Sequence, residues 1–225
     1  MAIDFSIVTA AVPPLLEGLK VTAQVCVLGI PLGIVAGTVA AYCRTLPGGA
    51  WLFRLLRAGS LAYVEVVRNV PFLILVYLSF FGLPKLGLMV PAFVIGVAAT
   101  AFYTGGYFCE ILRAALASLA HGQLQAARSL GLTALQVQRH VVLPQIVGFL
   151  APATTSLTIM MFKDSSIFSV MSLAELTYQS NLLTADTFAY VEVLGTTAFI
   201  YWSCSVLLDV AGQWAERVAT RYRRA

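Results

Sequence analysis

The chain has 225 residues, of which 60% are hydrophobic and only 11% charged, with a formal net charge of +4. Soluble domains carry roughly 25% charged residues, and a chain of this length cannot hide so much apolar surface from water. A soluble enzyme with a large core is therefore excluded, and an all-α, polytopic membrane protein is expected. In chain order, residues 1–17 read as an interfacial helix broken by Pro13-Pro14. The start has no basic n-region and carries Asp4, so the first span is expected to act as the insertion signal.

A spanning helix needs about 20 mainly apolar residues. Val21 to Cys43 supplies the first span. Gly29, Gly33, Gly37 and Ala41 recur on one stripe of it, which lets another helix approach closely. The partner on that stripe is either a neighbouring subunit or moving element, or another helix of the same subunit. Pro31 is expected to kink this helix. The second span covers Asn69 to Pro84, reaching back to Ser60 if Glu65 and Arg68 are tolerated, and the third covers Leu86 to Cys109. The fourth runs from Val141 to Phe162, residues 166–190 form a short helix plus loop, and the fifth span covers Val193 to Leu208. The whole reads as a single transmembrane domain over residues 1–225. The four cysteines, Cys26, Cys43, Cys109 and Cys204, are far apart and show no metal-ligand pattern, so ordinary buried thiols are expected.

Positive charge sets orientation. Arg44, Arg54 and Arg57 follow span one, Arg113, Arg128 and Arg139 follow span three, and Arg217, Arg221, Arg223 and Arg224 follow span five. All three regions fall on one side if five spans are counted. The opposite side has Lys20 and Lys85 with Asp4, Glu17, Glu175, Asp186 and Glu192. The N-terminus is thus expected outside, and the C-terminus and residues 116–143 in the cytoplasm.

That region holds a polar island, Gln125 to Pro144, between two apolar runs. Ala126-Ala127 favours helix and offers no bulk. Gly131 is placed to end that helix in the left-handed conformation. Thr133-Ala-Leu-Gln136 fits a capping box that starts a second short helix. Leu143-Pro144 then marks entry to span four. This is either a docking surface or a surface helical hairpin with no partner.

The island resembles the signature of bacterial ABC importer permeases: Glu-Ala-Ala, three residues, Gly, nine residues, Ile-x-Leu-Pro. Here it reads Gln125-Ala126-Ala127, Gly131 and Val141-Val142-Leu143-Pro144 at the same spacings, with Gln125 for Glu and Val141 for Ile. The likeness extends along most of the chain to the polar amino-acid uptake branch (the histidine, glutamate, glutamine, arginine and opine type). Tyr63-x-Glu65-x-x-Arg68-Asn69-x-Pro71-Phe72-Leu73, Phe80-Phe81-Gly82-Leu83-Pro84, Tyr103-Thr104-Gly105-Gly106-Tyr107, Glu110-Ile111-Leu112-Arg113 and Lys163-Asp164-Ser165-Ser166 carry it. The resemblance implies a type I importer permease fold in the bacterial cytoplasmic membrane. It also implies that Gln125, Ala126, Ala127, Gly131, Leu143 and Pro144 belong to a coupling helix seated on an ATPase dimer. The other implied partners are a second permease, identical or homologous, and an extracytoplasmic solute-binding protein, with membrane lipid around the pair and no nucleic acid.

The chain has no ATPase site of its own. A phosphate loop needs Gly-Lys followed by Ser or Thr, and the three lysines, Lys20, Lys85 and Lys163, follow Leu19, Pro84 and Phe162. ATP and Mg are thus expected on the partner, and no catalytic, cofactor or metal residue is expected here. Glu65 and Arg68, and Glu110 and Arg113, each sit three apart and form candidate structural pairs near the cytoplasmic ends of their spans. Lys163 stands about 27 Å along the helix from Gln145, at the outer end of span four. With Asp164, Ser165 and Ser166 it is a candidate for the translocation path or a binding-protein contact; the alternative is a self-paired helix end. His121 and His140 read as ordinary surface residues. A stand-alone transporter or channel is the competing reading. It would need its own polar site and broken helices near the midplane, whereas most charges here sit near span ends.

Overall fold

The computed structural model describes residues 4–46 and 50–220, and its first helix starts at a cap. The Asp4 carboxylate accepts the Ser6 N–H at 2.9 Å, pairing one of the donors a helix start leaves free. From there α1 (Phe5–Thr45) runs 41 residues without a break, through Pro13, Pro14 and Pro31. The expected interruption at Pro13-Pro14 does not occur. Ala11 and Leu15 are buried against Leu176 on either side of the pair, so tertiary packing carries the helix past two missing donors. At 1.5 Å per residue α1 is about 60 Å long, about twice the hydrocarbon thickness of a bilayer.

The glycine stripe of α1 faces α4 (Ala92–Ala117). A Cβ on Gly29 would lie 2.7 Å from Thr100 Cβ, and one on Gly33 would lie 2.5 Å from Thr104 Cβ. One on Gly37 would run into the Gly105 carbonyl oxygen. The stripe is therefore used inside the subunit, not against a neighbour. The contacts advance together along both helices, so α1 and α4 are parallel.

The second span is not one helix. α2 (Trp51–Asn69) and α3 (Phe72–Gly82) meet at Val70-Pro71, and α2 lies 108° from the segment Phe72–Leu86. Val70 is extended (φ −101°, ψ 126°) because a residue before proline is pushed out of the helical region. Among the described residues, four helices are long and apolar enough to cross a membrane, and the count reaches five only if this bent pair is one span. The third span starts at Ala92, not Leu86. Gly87 at φ +79° and Pro91 stand between the 3₁₀ turn Leu83–Leu86 and α4.

After α4 come α5 (His121–Ser129), α6 (Ala134–Val137) and a π turn, Gln138–Val142, that runs into α7 (Leu143–Asp164). Pro144 thus stands in the first turn of α7, as expected, without interrupting the helix. Helix continues from Ala134 through Met171. The widened turn just before the ring, where Leu143 N–H reaches Gln138 O, accommodates a residue that cannot donate and that crowds the carbonyl four positions back.

A 3₁₀ segment, Ser165–Met171, leads to α8 (Leu176–Thr187), and α9 (Tyr190–Ala219) completes the bundle. Residues 166–190 do hold the expected short helix, α8, and the segment is packed into the bundle: Phe168, Met171, Leu176 and Ser180 are buried. α1 and α9 begin side by side, with Asp4 N–H donating to Glu192 Oε1 at 3.3 Å. The described chain thus begins and ends at opposite ends of the bundle. The tail arginines Arg221, Arg223 and Arg224 lie outside the described residues.

Candidate functional site

The polar island folds as a helical hairpin hung below α4 and α7. Its turn forms by backbone rules alone. Gly131 N–H donates to Arg128 O and Leu132 N–H to Ala127 O, with Gly131 at φ +78°. This paired arrangement satisfies the orphan carbonyls at the end of α5. Thr133 then caps α6: its Oγ1 accepts Gln136 N–H, and Gln136 Oε1 accepts Thr133 N–H at 2.8 Å. Helix, glycine stop and capping box all stand where the sequence puts them.

The hairpin has two faces. Inward, Ala127 and Val137 join Ala115, Val142 and Ile146 in a small buried cluster, with Leu124 and Leu132 packed against it. Ala127 was expected on the docking surface and is instead this anchor: its lack of bulk lets α5 sit close to the bundle. Outward, Gln125, Ala126 and Gly131 are exposed, and so are Leu130 and Leu135, at 81% and 78%. Leu143 and Pro144 are exposed where α7 begins. Leu130 and Leu135 were not singled out from sequence. The available signal was that they stand beside the stop and within the capping box, off the inward stripe. His140 is exposed, with Nδ1 3.1 Å from Gln136 O; the His121 side chain lies outside the described residues.

Beside the hairpin, at the same end of the bundle, one carboxylate gathers three guanidiniums. Glu110 pairs with Arg113 at 2.9 Å, with Arg44 of α1, and more loosely with Arg68 of α2 at 3.7 Å. The expected Glu65–Arg68 pair does not form. Glu65 Oε1 instead accepts the Asn69 amide at 2.9 Å, because Arg68 turns to the half-buried carboxylate across the helix gap. Arg44 is a member of this cluster that sequence spacing along one helix could not reveal.

At the other end, the Lys163 group does not converge. Lys163 is exposed, and Asp164 and Ser166 are half-buried. Ser165 is buried, with Oγ donating to Phe162 O at 2.6 Å, so its hydroxyl serves its own helix. Among the described residues the ion pairs are Lys20–Glu17 and the three at Glu110, so Lys163 and Asp164 are not self-paired.

The buried polar group nearby is one that sequence reasoning passed over. Glu175 caps α8, accepting the N–H of Thr177 at 2.9 Å and of Tyr178 at 2.7 Å. Tyr201 Oη of α9 donates to Glu175 Oε2 at 3.3 Å, and Thr22 Oγ1 of α1 accepts Leu176 N–H at 3.2 Å. Burial pushes the Glu175 carboxyl up to about 7, against the N–H and hydroxyl donors, which favour the charged form. Glutamate is not among the preferred capping residues, so little in the residue pattern points to this role.

Residues 29–221 match the family described as the binding-protein-dependent transport system inner membrane component, and the chain belongs to that family. It is thus a multi-pass inner-membrane permease subunit of the ABC importer class. Within that class it is of the amino-acid type. It is 32% identical over 219 residues to the glutamine transport system permease protein GlnP of Escherichia coli (strain K12), covering 96% of this chain and 98% of that protein. It is 30% identical over 202 residues to the probable glutamine ABC transporter permease protein GlnM of Bacillus subtilis (strain 168), covering 90% and 91%. Its fold superposes on a chain of a crystal structure of an amino acid ABC transporter with histidines. That likeness has a TM-score of 0.87 at 31% identity and covers 96% of this chain and 99% of the other. Membership makes a solute-binding protein and an ATP-hydrolysing subunit the expected companions.

Proposed function

We propose that this permease imports a polar amino acid, or a related opine or derivative, by alternating access, and that the α5–α6 hairpin is where ATP-driven motion enters it. The observation that carries the reading is the hairpin's outward face. Two leucines are held in the open by a stop and a cap, in a segment too polar to lie in lipid. ATP and Mg are bound by a dimer of partner ATPase subunits, and their closure moves the hairpin. A second permease, identical or homologous, completes the path, and a loaded binding protein biases its two states. The arginine-rich end is cytoplasmic and the N-terminus is outside. Lys163 and Asp164, at the far end of α7, are offered to the path or to the binding protein. Ser166 stands with them; Ser165 does not.

The test is Leu135→Asp in the co-expressed transporter. A charge placed in an apolar seat should cut retention of the ATPase subunit at least about tenfold, while membrane insertion of the permease is unchanged. Full retention with normal transport would show that the hairpin is not the seat.

A further inference from the structure

The coupling scheme leaves α2 without a role, and α2 has three distinct faces. Ser60, Val64 and Val67 are buried, where Val64 packs with Ala40, Ala41 and Cys109 and Val67 fills the space above Gly106. Leu52, Leu55, Leu56 and Val66 form an exposed apolar strip. Arg54, Arg57 and Arg68 recur at helical spacing on the remaining arc, all exposed. A helix within hydrocarbon does not carry such a cationic arc, and one in water does not carry such a leucine strip. Because α2 lies 108° from the segment Phe72–Leu86, it runs near the membrane plane when that segment crosses the membrane. This is the pattern of an interfacial amphipathic helix.

The cationic arc ends in a pocket of about 440 Å³ lined by Arg44, Arg68 and Arg113 with Glu65 and Glu110. Arg44 and Arg113 occupy the two Glu110 oxygens. Arg68 is held only loosely, at 3.7 Å, with its side chain 54% exposed. The Glu65 carboxylate is turned to Asn69. Three guanidiniums thus face two carboxylates, and the most available cation points into the pocket, while the apolar strip runs along the opposite side of α2, as on a helix lying between headgroups and acyl chains. The geometry points to a binding site for an anionic phospholipid, with the headgroup phosphate at Arg68 and its acyl chains on the strip that ends at Val66. A free anion would use the cations but has no use for the strip. The leaflet is the cytoplasmic one; that part rests on the sidedness proposed above.

The test is native mass spectrometry of the whole transporter released from vesicles of mixed phosphatidylglycerol and phosphatidylcholine. The wild type should retain phosphatidylglycerol in preference. Arg68→Gln should lower that retention about fivefold, the worth of one arginine at an anionic surface, and the exposed pair Arg54→Gln/Arg57→Gln should lower it as well. Arg217→Gln, on the last turn of α9, should stay within about twofold of wild type. Equal retention by wild type and Arg68→Gln overturns the site, and so does an equal loss in Arg217→Gln, which would mark general surface charge. Displacement of the lipid by inorganic phosphate with no preference over phosphatidylcholine overturns it in favour of a free anion. The leaflet is read separately, from Arg57→Cys on a background with the four native cysteines replaced by alanine. Labelling by an impermeant maleimide from outside the cell overturns the sidedness and leaves the lipid result standing.

Discussion

The α1–α4 seam and the α5–α6 hairpin are built on opposite plans. Along the seam, glycines remove side chains until backbone meets backbone, and even the Thr104 hydroxyl is buried without a partner. The hairpin keeps its core to a handful of small residues and holds two leucines outside it. Over the spans an exposed leucine says little, because lipid covers it. On a polar loop it says much, because water is the only other neighbour. The seam is therefore a fixed axis, with no room to slide, and the hairpin is a handle attached through one compact cluster.

The largest effect should come from filling the seam. Gly37→Leu drives a side chain into the Gly105 carbonyl, and close packing leaves no direction for relief. It should destabilise the subunit by more than about 3 kcal/mol, read as loss of monodisperse protein in detergent. Gly195→Ala is the matched control. Nothing lies within 4 Å of a Cβ there, so it should be neutral or slightly stabilising. If both variants extract alike, the seam is not the fixed axis.

A smaller and pH-dependent effect should come from the knot at Glu175, where buried polar groups join Gly18 in holding α8 against α1. The folded carboxyl titrates near 7, above its ordinary value of 4.5. The folded state therefore binds the proton more tightly than the unfolded chain. Its stabilising contribution is complete below about 4.5 and is lost as pH rises through about 7, on the order of 3 kcal/mol in all. Thermal unfolding of the solubilised transporter should shift down between pH 6 and pH 8. Glu175→Gln should flatten that shift, and an undiminished shift in the variant would assign the titration elsewhere.

What sequence could reach divides along the same line. Local rules were legible: Gly131 and the Thr133–Gln136 box follow from residues within one turn of each other, and the expected spans from runs of apolar residues. Contacts between elements were not. The Gly29–Gly37 stripe announced a close partner without naming α4. Glu65 and Arg68 had the right spacing to pair, but a half-buried carboxylate on α4 drew the arginine away. Ala127 belonged to the expected motif, yet only packing decided which way it faced. Pro13-Pro14 and Val70-Pro71 show the limit most plainly. Pro13-Pro14 read as a break and Pro71 lay inside an expected span, yet burial of Ala11 and Leu15 carried the first helix through while the chain bent by 108° at Val70-Pro71.

The smallest effect tests the handle itself. Gly131 sits at φ +78° with open space where a Cβ would stand, so substitution there is a matter of backbone strain and not of collision. A left-handed residue other than glycine costs about 1–2 kcal/mol, least for asparagine, and a β-branched residue is worse still. Retention of the ATPase subunit should therefore fall in the order Gly, Asn, Ala, Val, while the buried cluster at Ala127 and Val137 keeps the bundle folded. Graded loss of coupling with constant stability of the spans would separate handle from axis as two mechanical parts. A Gly131→Val subunit that couples as well as wild type would mean that the turn's shape is not what the ATPase reads. The docking surface would then reduce to the exposed side chains of Leu130 and Leu135, whatever the backbone between them does.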